Sequence, residues 1–251
     1  VEGMFEVFAV VVIGFLMVRL GLVTAHSTLR ATYFQLIILL GSGIIGTGHH
    51  YYWIGAPRYW LWIGGIFSAL EPLPILLMVI DTMNHVKERK TQIVNRLTWT
   101  YAVGCAIYHM IGAGVFGFLH TLPQINYYTH GSQVTVSHGH LAFFGAYALL
   151  NLTTFYFAMP KIKGIEVFDE RRGKYGFWTM NVAMMIMGLT FGVAGVLQTY
   201  IERVLGLGYM TAQSYMRLWM GVTMTAGVFF LIGLLTTVTD LLTLRPARQR
   251  T

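Results

Sequence analysis

Charge is scarce in this 251-residue sequence: Asp, Glu, Lys and Arg make up 11% of it, against 55% hydrophobic residues. Soluble domains carry roughly a quarter charged residues, so a solvated globule is excluded. Acids are scarcer than bases, 10 against 17, for a formal net charge of +7. The cations fall almost entirely in short segments between long apolar runs, so no basic domain face forms and nucleic acid is excluded as a partner. Cys105 is the sole cysteine, which rules out an intramolecular disulfide and a CxxCH haem-attachment motif. The start lacks both an initiator Met and the charged-then-apolar pattern of a signal peptide. Glu2 instead leads directly into apolar sequence, and the expectation is a chain truncated on its N-terminal side. Repeats, low-complexity tracts and domain linkers are also missing, so 1–251 reads as a single transmembrane helical domain.

What the sequence does contain is long apolar runs. Crossing a hydrocarbon core takes about 20 residues of helix, and seven segments approach that length. They run near Phe5–Val23, Ala31–Thr47, Tyr59–Ile80, Leu97–His120, His138–Met159, Tyr175–Ile201 and Trp219–Asp240. None shows the period-two alternation of a barrel strand. The expected fold class is therefore all-α, a polytopic integral membrane bundle of seven transmembrane helices. Seven crossings place 14 of the 17 Lys and Arg on one side and Arg58, Arg203 and Arg217 on the other. The basic side reads as cytoplasmic, with Val1 periplasmic and Thr251 cytoplasmic in a bacterial inner membrane. Tyr51, Tyr52, Trp53, Tyr59 and Trp60 read as an interfacial aromatic belt. Gly112, Gly114 and Gly117 suit either close helix packing or the approach of a flat macrocycle.

Ionisable groups inside membrane helices need a partner or a function. The topology gathers Glu2, Glu6, His49, His50, His138 and His140 at one depth near the outer surface, with Glu71 near mid-membrane. His49 and His50 are about 100° apart on a helix, compatible with one metal given a third ligand. His138 and His140 are about 200° apart and suit two cofactors flanking their helix. Glu2 and Glu6 share a face and are able to ligate a hard cation or carry protons. His109 reads as an interhelical hydrogen-bond partner, and His26, His85, His120 and His130 as solvated. The inner halves of the helices show no comparable acid.

The stretch GTGHHYYWIGAP from Gly46 to Pro57 resembles the catalytic subunit of respiratory nitric oxide reductases, within the haem-copper oxidase superfamily. The likeness continues through SALEPLP (Ser68 to Pro74), SHGHLAFFGAY (Ser137 to Tyr147) and the opening VEGMFE. It implies the last seven of twelve helices of that fold. It further implies His49, His50 and Glu2 as ligands of a non-haem iron, His138 as the proximal ligand of a high-spin haem b3, and His140 as an axial ligand of a low-spin haem b. Glu6 and Glu71 would shape the pocket and supply protons. A third histidine ligand of the iron and the second ligand of the low-spin haem belong to family segments missing from this sequence, so the chain alone completes neither centre.

The implied reaction is 2 NO + 2 e− + 2 H+ to N2O + H2O; the wording of the Ser137 to Tyr147 stretch resembles the type fed by a membrane-anchored c-type cytochrome subunit, with a quinol-fed, single-subunit relative as the alternative. A carboxylate beside histidines suits iron better than copper. Protons are expected from the outer side, without pumping. The competing readings are a haem-copper oxygen reductase, a non-redox membrane transporter, and a folded but inactive fragment of the enzyme.

Overall fold

The computed structural model describes residues 2–21, 23–38, 44–70, 72–73, 76–77, 80, 83–84, 87 and 95–246, with backbone alone at 2–10, 31, 35 and 44. Among these the regular elements are helices: α1 (Glu2–Arg19), α2 (Ala25–Ile38), α3 (Tyr59–Ser68), α4 (Arg96–Thr121), α5 (Pro123–Thr129), α6 (Gln133–Ile162), α7 (Arg171–Val204) and α8 (Tyr209–Leu242). The short turn Ile44–Gly46 tightens into a 3-10 segment, Thr47–Tyr51, between α2 and α3.

Four of these helices, α4, α6, α7 and α8, are long and apolar enough to cross a membrane. Each contains one of the last four expected spans and overruns it at both ends; at α4 and α6 a side-chain cap sets where the helix begins. Asn95 Oδ1 accepts the Thr98 N–H at 3.0 Å to open α4, and Ser132 Oγ accepts the Val134 N–H at 3.2 Å to open α6. The described residues thus support four crossings by length, not the seven expected. In the second expected span α2 is described from Ala25, where Thr24 Oγ1 accepts the Ser27 N–H, to Ile38, and residues 39–43 lie outside the described residues. Beyond Leu70, most of the third expected span lies outside the described residues.

The two ends of the bundle differ in chemistry as the alternation of crossings requires. At one end Lys163 Nζ donates to the Leu241 and Leu242 carbonyls at 3.1 and 2.7 Å, satisfying the open C-terminus of α8. Glu170 accepts the Leu97 N–H there, and Asp169 N–H donates to the Arg245 carbonyl. At the opposite end Trp53 Nε1 donates to Asn126 Oδ1 at 2.8 Å, and the Gln133 N–H donates to Gln198 Oε1 at 3.0 Å.

A polar knot lies inside the basic end and corrects the expectation of an acid-free inner half. Asp240, 5% exposed, accepts the Tyr156 hydroxyl at 3.0 Å, and Tyr101 OH lies 3.0 Å from Thr237 Oγ1 and donates to the Gly173 carbonyl. In sequence Asp240 reads as terminal because it closes an apolar run. In the fold α8 continues to Leu242, and α4, α6 and α7 enclose the carboxyl.

Helices α4 and α6 touch backbone to backbone, and this contact positions the site. A Cβ on Gly112 would lie 2.7 Å from Ala142 Cα, and one on Gly145 would lie 2.8 Å from Tyr108 Cβ. Both glycines sit in π-helical stretches, His109–Phe116 and Phe144–Leu149. Such widened turns concentrate at functional sites.

Candidate functional site

A cavity of about 210 Å³ lies between the 3-10 turn, α3, α4, α5 and α6. His49, His50, His120 and His138 line it, with small residues Ala113, Gly114, Gly117, Gly139, Ala142 and Ala146 filling much of the wall. Two expected ligand groups separated by almost ninety residues of sequence therefore share one chamber.

His138 occupies the second turn of α6. Its Nδ1 donates to the Gly112 carbonyl at 2.7 Å, an oxygen that also accepts the Gly117 N–H across the π turn. A ring held this way carries its lone pair on Nε2, the arrangement by which a second partner orients a metal-binding imidazole. Without a glycine at 112 the two backbones would stand too far apart for this bond. Gly117 contributes differently: a Cβ there would sit 3.5 Å from His138 Cε1, so its absence keeps space open beside the ring.

His140 leaves the other side of α6. It is exposed, donates Nδ1–H to the Val136 carbonyl at 2.9 Å, and lies 4.8 Å from the ring of Phe191 on α7. It is not part of the cavity wall. The two histidines thus face different neighbours, α4 for His138 and α7 for His140.

His49 and His50 stand on the 3-10 turn rather than on an α-helix, with ring centroids 4.0 Å apart. His49 Nδ1 lies 2.8 Å from the Gly46 carbonyl and 2.6 Å from Ser68 Oγ, whose own proton goes to Gly46 at 2.8 Å. Nδ1 is therefore a donor, and the lone pair again falls on Nε2. Ser68 is fully buried, so this bond ties the turn to α3.

Glu2 and Glu6 lie one turn apart on the backbone at the start of α1; their side chains, and Glu71 entirely, lie outside the described residues. Among the described residues no three His, Cys, Asp or Glu side chains converge on one metal position.

Several expectations are corrected. His120 is 7% exposed rather than solvated, because α5 folds back over the end of α4. Its Nδ1 donates to the Phe116 carbonyl at 2.8 Å, and its ring stacks on His138 at 5.1 Å and 25°. Proximity to a loop is the only sequence signal, and it points the wrong way. His109 is 1% exposed, and its Nε2 has no hydrogen-bond partner among the described residues. The stretch Phe144–Leu149 passing it is apolar apart from Tyr147, which faces the cavity. Of the aromatic belt, Tyr52 is buried instead, its hydroxyl donating to the Thr121 carbonyl at 2.9 Å. Burial pushes that phenol up to about 12, so it remains a donor. Trp53 adopts a left-handed backbone, φ 63°, held by its indole bond to Asn126.

Residues 1–230 match the family described as Cytochrome C and Quinol oxidase polypeptide I. The chain belongs to that family. It is 40% identical over 242 residues to the B subunit of nitric oxide reductase from Stutzerimonas stutzeri, covering 93% of this chain and 51% of that protein. It is 26% identical over 149 residues to a probable cytochrome c oxidase subunit 1 of Bradyrhizobium diazoefficiens, covering 59% of this chain and 22% of the other. A solved haem-copper terminal oxidase dimer has the same fold, with TM-score 0.72 and 16% identity over 92% of this chain and 44% of its own. The chain thus spans about half the length of the nitric oxide reductase relative, and less of the two oxidases. The resemblance carried by the GHH, LEPLP and SHGH stretches is met by these relatives, and family membership makes the transporter reading untenable.

Proposed function

We propose that this chain is the C-terminal part of the catalytic subunit of a respiratory nitric oxide reductase in a bacterial membrane. The observation that carries the reading is the convergence of His49, His50 and His138 on one cavity walled by Gly and Ala. The relative named for nitric oxide reduction, at 40% identity, supports it over the oxygen-reductase alternative.

The residues present fit the groups that the family implies. His138, with Nδ1 fixed on Gly112, would hold a haem through Nε2, and the missing side chain at Gly117 leaves room next to it. His140 would hold a second haem on the opposite side of α6. His49 and His50 would supply two imidazoles to a non-haem iron, and Glu2 a carboxylate, a hard donor that favours iron over Cu(I). When bound, these groups would supply the electrons and the sites at which two NO molecules are reduced.

The protein's own contribution is orientation and protons. Ser68 and Gly112 set the tautomers of His49 and His138 before any ligand arrives, which lowers the reorganisation needed on binding. Glu2, Glu6 and Glu71 belong to the sequence positions that open toward the outer side, and they are assigned to proton delivery from there, without pumping. A membrane-anchored c-type cytochrome is the assigned electron donor.

Substitution in the intact protein tests the division of roles. His138→Ala is expected to abolish the high-spin haem spectrum and leave the low-spin one, and His140→Ala to do the reverse. Copper in place of non-haem iron in the metal content of the wild type would instead favour an oxygen reductase.

A further inference from the structure

A second cavity, about 600 Å³, opens at the basic end of the bundle, far in the topology from the histidine chamber. Arg19, at the last turn of α1, and Lys161, at the last turn of α6, both line it and are both exposed. Phe157, Pro160, Leu20, Ile165 and Val167 form an apolar wall between them. Lys161 Nζ is held 3.7 Å over the centre of the Phe157 ring, which fixes the ammonium at the wall.

Two acids also face the space. Glu170 is paired with Lys174 at 2.6 Å and accepts the Leu97 N–H, so its charge is already met. Glu166 is exposed and makes no ion pair among the described residues. The cavity therefore presents two cations against one unpaired carboxylate, and its residual charge favours an anion.

An apolar track leads from this charged mouth toward the membrane centre. Val11, Phe15 and Arg19 recur at i, i+4 and i+8 on one face of α1, and Val11 and Phe15 are 44% and 55% exposed. The Phe15 ring meets Phe157 edge-on at 6.4 Å, so the track joins the floor of the cavity. A cationic recess at a helix end continuous with an exposed aromatic groove has the chemistry of a phosphodiester above two acyl chains.

We propose that this cavity binds one anionic phospholipid, its phosphate between Arg19 and Lys161 and its acyl chains along Phe15 and Phe157. The site rests on the membrane reading and not on the identity of the reaction, so its readout is lipid and not turnover.

The intact protein is reconstituted in phosphatidylcholine vesicles with and without a minor fraction of phosphatidylglycerol, and thermal unfolding is followed. The anionic lipid is expected to raise the Tm of the wild type by a few degrees through preferential binding to the folded state. The rise is expected to vanish in the double variant Arg19→Gln, Lys161→Gln and to persist in Arg171→Gln, a cation at the same end with an 86% exposed side chain outside the cavity. Persistence in the double variant, an equal loss in Arg171→Gln, or the same rise from inorganic phosphate alone would overturn the proposal. If the double variant fails to fold, the charge-conserving Arg19→Lys, Lys161→Arg pair and native mass spectrometry of the wild type decide. Retained phosphatidylglycerol in both supports the site, and a wild type that retains none sinks it.

Discussion

A histidine offers its lone pair from whichever ring nitrogen is not donating, so a carbonyl in the right place determines what the ring can hold. In this protein the carbonyl for His138 belongs to Gly112, 26 residues earlier, and the oxygen for His49 to Ser68, 19 residues later. The histidines are legible in the sequence as costly intramembrane groups; their partners are not, since a glycine carbonyl has no side-chain signature. The two cavity glycines also separate by role. Gly112 is a packing position, where any Cβ meets backbone of α6, whereas Gly117 borders open space with 3.5 Å to His138. Gly117→Ala is accordingly expected to leave haem content unchanged, and Gly117→Leu to lower it sharply while the apoprotein keeps its helix content. Pyridine haemochrome assay beside circular dichroism checks this. An equal loss in both variants would show that the space beside His138 is not where the haem lies. His120 shows the opposite failure of sequence reading: a residue at the end of an apolar run reads as solvated, and a seven-residue helix, α5, covers it.

At the starts of α4 and α6 the helix limit obeys capping more than hydropathy. Asn95 and Ser132 stand just before those helices with oxygens on the N–H groups of Thr98 and Val134. Asn95 has a further task, since its amide donates to the Tyr156 carbonyl of α6 at 3.2 Å. Replacing an N-cap Asn by Ala costs about 1 kcal/mol in ordinary cases. Asn95→Ala is expected to cost at least about that, because a bond between helices goes with the cap. Asn95→Asp, which keeps the capping oxygen, is expected to recover part of it. Chemical unfolding in detergent compares the three proteins, and equal stability of the Ala and Asp variants would refute the capping account. Local geometry likewise takes His49 and His50 off a regular helix. The chain from Gly46 to Tyr52 tightens to a 3-10 turn, and period-based reading does not distinguish that turn from an α-helix over five residues.

At the scale of the whole molecule, counting Lys and Arg along alternating apolar runs divides the ends of the bundle, and the fold brings Arg19 of α1, Lys161 of α6 and the cations at the start of α7 to one end. Which end faces the cytoplasm is testable with a convenient property of the chain. Cys105, the sole cysteine, is 1% exposed and unavailable to a membrane-impermeant maleimide. Leu205→Cys, in the exposed turn between α7 and α8, is expected to label from the periplasmic side of intact spheroplasts. Arg171→Cys is expected to label only after the membrane is opened. The reverse pattern would invert the topology and, with it, the assigned direction of proton delivery.

Composition, apolar length and the spacing of charged residues determined on their own that this is an all-helical membrane protein. Those properties follow from the cost of placing polar groups in hydrocarbon, a local cost readable residue by residue. Tertiary structure alone decided that His120 joins the chamber, that Asp240 is buried among Tyr101, Tyr156 and Thr237, and that Arg19 and Lys161 share a recess. Each depends on contacts between segments far apart in sequence, whose geometry is set by how closely glycine-bearing helices pack.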